Sequence, residues 1–122
     1  MPITFETVTE IARGFPDIER VTKYDGSPVL KVHGSFVAGL ATDESAEADT
    51  LVVRVDLDER VWLLEDAPDT YYVTEYYRKY PVVLARLSAL TRDAVHDLLG
   101  RSRTLALEKV PLARRHSRTA PR

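Results

Sequence analysis

Two glycine-centred turns, Asp25-Gly26-Ser27-Pro28 and His33-Gly34-Ser35, cut residues 21–41 into three short runs rich in β-branched and apolar side chains: Val21–Tyr24, Val29–Val32 and Phe36–Ala41. Runs this short, joined by turns this tight, have one economical solution, which is a pair of consecutive antiparallel hairpins. A fourth run, Leu51-Val52-Val53-Arg54-Val55, continues the meander after Thr42–Asp49, an acidic polar stretch that reads as flexible.

Helical periods flank the β runs. Phe5, Val8, Ile11, Ala12 and Phe15 recur at helical spacing behind Thr4 as N-cap, and Gly14-Phe15-Pro16 stops the helix. Asp56 and Glu59 have the spacing of a capping box, and the second helix is expected to turn Val61, Leu64 and Trp62 inward before Ala67-Pro68. Asp56, Asp58 and Glu59 also look like a metal cluster, but acidic residues in a first turn are what the helix dipole favours. A strand over Val82–Leu87 precedes a last helix from Thr91 with Val95, Leu98, Leu99, Ser102 and Leu105 on one face, ended by Pro111. The order predicts an α+β fold, an antiparallel meander sheet with helices packed on one face. At 122 residues and 44% hydrophobic the chain suits a single domain, expected over 1–110, with 111–122 as a basic disordered tail.

Charge is unevenly placed. Residues 1–100 hold 10 Lys+Arg against 18 Asp+Glu, while residues 101–122 hold 7 against 1. The tail, including Arg114 and Arg115, suits either neutralising a polyanion or folding back on the acidic body. With no cysteine, thiolate catalysis, disulfides and thiolate metal sites are excluded, and a reducing compartment is compatible. No apolar run has the length to span a bilayer and no signal-peptide pattern opens the chain, so a cytoplasmic protein without a membrane partner is expected.

Five of the six tyrosines lie within Tyr71–Tyr80, interleaved with Arg78 and Lys79. Tyr76, Tyr77, Arg78, Lys79 and Tyr80 have the chemistry to stack bases and clamp a backbone, and equally to pack as core, line a ligand pocket or form a protein interface. Lys23 sits on the first hairpins, and strand alternation puts Lys31 and His33 on a common face, where they would meet phosphates or simply water. Catalysis has little support: His33, His96 and His116 are scattered, no phosphate-cradling glycine loop occurs, and Glu75 has no visible partner as a base. No cofactor or metal is implied.

The stretch Ser27–Leu40 resembles the second and third strands of MmcQ/YjbR-like proteins. The helix ending at Phe15-Pro16, the strand leading into Asp56-Leu57-Asp58-Glu59, the Pro68-Asp69-Thr70-Tyr71-Tyr72 link and the Leu-rich closing helix extend the resemblance over about residues 4–109. It implies a double-wing domain whose hairpins contact DNA. The chain departs from the family pattern at Gly34-Ser35, where a lysine commonly follows the turn glycine, and at Tyr77-Arg78-Lys79-Tyr80-Pro81, which replaces a Gly-Trp strand entry. The reading that follows is a DNA-binding protein, with a protein-interaction or small-ligand module as the alternative.

Overall fold

The structure, a computed structural model, describes residues 3–112. Helix α1 (Phe5–Ala12) starts at a reciprocal capping box: the Thr4 hydroxyl accepts from the Thr7 N–H, and the Thr7 hydroxyl accepts from the Thr4 N–H. This satisfies N–H groups that a helix start leaves without partners.

Strand β1 (Ile18–Thr22) begins three residues before the expected Val21 and ends earlier. The reason is the turn: the Lys23 N–H donates to the Ser27 carbonyl and the Asp25 carboxylate takes the Ser27 N–H, so Lys23 and Tyr24 belong to the turn. Strands β2 (Pro28–Val32) and β3 (Ser35–Leu40) are joined by His33-Gly34, with φ of 49° and 82°. Positive φ at both central residues is the signature of the hairpin turn whose twist matches its strands. Leu30 pairs with Ala38 but Lys31 with Phe36, leaving Val37 as a bulge. The bulge turns Val37 and Ala38 together into the core.

The chain continues through β4 (Thr50–Arg54), α2 (Leu57–Asp66), β5 (Tyr71–Tyr72), the single turn α3 (Glu75–Arg78), β6 (Val82–Arg86), a 3-10 turn at Leu87–Ala89 and α4 (Arg92–Glu108). The six strands lie in the order β1-β2-β3-β4-β6-β5, every neighbouring pair antiparallel. The α+β class expected from the pattern is what the chain adopts.

Alternation splits the sheet's side chains between two faces. Leu30, Val32, Leu51, Val53, Val83 and Ala85 meet α1, α4 and Leu63 of α2 in the main core. Val52, Val82 and Leu84 face the other way and pack with Tyr77, Phe36 and Tyr72. The three longer helices thus cover one face, and the turn α3 lies on the other.

Helix α2 corrects one expectation. Leu63 is its buried residue, whereas Val61 and Trp62 are 55% and 60% exposed. The face turned inward carries Arg60, whose guanidinium donates to the carbonyls of Arg78, Tyr80 and Val82 at 2.9–3.2 Å, so a charged residue occupies a position that hydropathy assigns to solvent. Asp56 does cap the helix, through the Asp58 N–H, but Glu59 turns to Arg101 at 2.7 Å and does not close a capping box. On α4, Ala106 takes the buried place assigned to Leu105, which is half-buried.

Candidate ligand groove on the open sheet face

The face opposite the long helices carries a groove of about 500 Å³. Its floor is apolar because alternation sends Val29, Val52 and Val82 to this side. Tyr76, Tyr77 and Tyr80 form one wall, Lys23 and Lys31 reach it from the first hairpin, and Arg54 lines it from β4.

The tyrosine segment divides by function within the fold. Tyr71 is buried in the main core. The Tyr72 hydroxyl accepts from the Glu47 N–H at 2.8 Å and bonds the Thr50 hydroxyl at 2.7 Å, while the Arg86 guanidinium lies 4.4 Å above its ring and pairs bidentately with Glu47. The Tyr77 ring is buried, and its hydroxyl accepts from the N–H groups of Thr42 and Asp43. These bonds tether the Thr42–Asp49 stretch that reads as flexible: the N–H groups of Thr42, Asp43 and Glu47 end on tyrosine hydroxyls, and those of Ser45 and Ala46 on Asp43. That leaves Tyr76 and Tyr80, each 44% exposed, with the Lys79 ammonium 5.1 Å and 5.6 Å from their ring centres.

Of the residues singled out from the sequence, Lys23, Lys31, Tyr76, Tyr77 and Tyr80 converge on the groove. Lys79 sits on the outer tyrosine rings, and Arg78 is exposed with its carbonyl taken by Arg60. His33 does not share a face with Lys31. Its place in the left-handed hairpin turn breaks the alternation; the side chain is buried with Nδ1 unpartnered among the described residues, within electrostatic reach of Asp17 rather than of the groove. Arg114 and Arg115 lie outside the described residues.

Sequence reasoning passed over Arg54. It is half-buried, its Nε–H donates to the Phe36 carbonyl at 2.7 Å, and its terminal amino groups have no partner among the described residues. No described carboxylate lies within ion-pair distance of Arg54, Lys23 or Lys31. Burial lowers the Arg54 guanidinium below its ordinary value, yet arginine remains charged at neutral pH. A signal was present: Arg54 is the one charge within Leu51–Val55, in phase with Val52 on the outer face. Tyr24, fully exposed at the hairpin tip beside Lys23, was also passed over, because it reads as the end of a strand.

Little here favours catalysis. The Tyr76 hydroxyl is raised above its ordinary value, first by repulsion from Tyr80, so it is a neutral donor and not a base. Glu75 is exposed at the start of α3. Among the described residues no group of three or more His, Asp or Glu side chains is placed to hold a metal ion, and no helix is long and apolar enough to cross a membrane. No protein-family model matches the chain, and no curated protein matches it significantly.

Proposed function

We propose that this chain is a non-catalytic MmcQ/YjbR-like module of double-wing type that binds single-stranded nucleic acid in the groove of its open sheet face. The observation that carries the reading is the convergence of three cations without described ion-pair partners, Lys23, Lys31 and Arg54, with two exposed rings, Tyr76 and Tyr80, over one apolar floor. Cations track a backbone and rings stack bases, each stacked base contributing roughly 1–3 kcal/mol. A single strand is favoured over a duplex because an apolar concave floor accepts unstacked rings, which a duplex keeps inside its stack.

Fluorescence anisotropy of labelled single- and double-stranded DNA, at low and moderate salt, tests this. Single-strand binding that weakens with salt and falls in Tyr76→Ala and in the pair Lys23→Ala, Lys31→Ala supports the reading; binding untouched by these changes defeats it. The groove's volume supports a second reading, a small-ligand module, since it lies within the roughly 300–1,000 Å³ of small-molecule sites.

A further inference from the structure

Arg54 stands in the apolar run Val52-Val53-Arg54-Val55, half-buried, with Val82 as its cross-strand neighbour on β6. A charge withdrawn from water needs a counter-charge or a full set of hydrogen bonds. Here the described residues supply one bond, from Nε to the Phe36 carbonyl. That bond orients the planar guanidinium and leaves its terminal donors for something else. Arginine presents those donors as a fork matched to two oxygens of one phosphate or carboxylate group.

The surroundings choose between anions. Phe36, which holds Arg54, is the ladder partner of Lys31, so two cations flank one residue, and Lys23 lines the same groove. Asp25 offsets Lys23 in part and Glu19 lies across the strand from Lys31, but no described carboxylate pairs with Arg54, and its fork beside Lys31 suits a dianion better than a single carboxylate. A terminal phosphate carries about −1.5 to −2 at neutral pH, whereas a phosphodiester inside a strand carries a single charge and is flanked by sugars on both sides. An end group enters a groove end-on; a mid-strand phosphate brings both neighbours with it.

We propose that the groove recognises the phosphomonoester of a nucleotide, whose sugar carries both the phosphate and a planar base, either as a free mononucleotide or as the phosphorylated end of a strand, and that Arg54 holds the phosphate. This rests on the nucleic-acid reading above and narrows it. The phosphate sits against Arg54 and Lys31, and the ring lies toward the Tyr76 and Tyr80 wall.

Calorimetric titration of the full chain with adenosine, adenosine monophosphate, and a short single-stranded oligonucleotide with and without a 5′-phosphate tests it. The phosphorylated member of each pair is expected to bind at least about tenfold tighter, the scale of one charge-assisted contact. Arg54→Gln, which keeps an amide donor for Phe36, is expected to erase that difference, and Arg54→Lys to keep part of it, with melting curves verifying that both variants fold. Preference for adenosine monophosphate identifies a free nucleotide as sufficient; preference seen only with the oligonucleotide identifies the strand end, and either supports the proposal. Equal binding of both members of each pair, or a preference that survives in folded Arg54→Gln, overturns it while leaving strand binding intact. No binding of any probe removes both this proposal and the reading beneath it.

Discussion

The Ser102 hydroxyl, fully buried on α4, donates a 2.7 Å hydrogen bond to the carbonyl of Val37, the residue that the β3 bulge leaves out of the ladder. A bulge exposes backbone groups that the sheet no longer pairs, and a buried one without a partner is costly. Ser102→Ala should therefore destabilise by about 1–3 kcal/mol. Urea denaturation measures this, with Ser88→Ala at an exposed position as control; equal midpoints for the two variants would show that the carbonyl finds another donor.

Tyr77 serves the groove with its ring and the acidic loop with its hydroxyl. Tyr77→Phe keeps the first role and removes the second. Hydrogen exchange at the amides of Thr42 and Asp43 is expected to quicken markedly, while the amides of β4 and β6 stay as they are. Unchanged exchange at residues 42 and 43 would mean that the loop holds itself.

Asp17 and Arg103 meet in two 2.6 Å hydrogen bonds, and the Arg103 bond holds the Asp17 carboxyl below its ordinary value. The folded state then binds this proton more weakly than the unfolded chain does. The pair's stabilisation is full above the ordinary aspartate range, about pH 4, and is lost as pH falls through the lowered folded value. Thermal melts from neutral pH downward should show Asp17→Asn less stable than wild type at neutral pH, with the two curves converging in acid. A gap independent of pH would assign the loss to packing instead.

Leu63 and Trp62 are neighbours with opposite surroundings, 5% and 60% exposed. Leu63→Ala is expected to cost about 2–5 kcal/mol and Trp62→Ala less than about 0.5 kcal/mol. Because Trp62 is the only tryptophan, native fluorescence should already be that of a hydrated indole and shift little on unfolding. A strong red shift on unfolding would place that ring in contact with something apolar in solution.

Legibility in the sequence followed the range of the interaction. The Thr4 cap, the glycine turns and the Val95–Leu99 stripe depend on neighbours within a few residues, and all were readable. Of the inward face of α2 only Leu64 was, since Val61 and Trp62 turn out to solvent and Arg60 is satisfied by carbonyls some twenty residues later. The tethering of Thr42–Asp49 escaped for the same reason: an acidic polar stretch looks unanchored until Tyr72 and Tyr77 are folded back onto it. His33 misled because alternation stops where φ turns positive. Arg54 was visible as a charge among valines, yet only the open face beside it gives that charge meaning.

The strand order leaves β1 and β5 at the two margins of the sheet. Exposed backbone at such margins is a template on which further chains can add, strand upon strand, into aggregates. At one margin β5 offers only Tyr71 and Tyr72, too short a stretch for an incoming strand to register. At the other, β1 presents Glu19 and Arg20, charges that an incoming strand would have to desolvate. Lateral growth of the sheet is thus discouraged by brevity on one side and by charge on the other, which favours a chain that stays dispersed at high concentration.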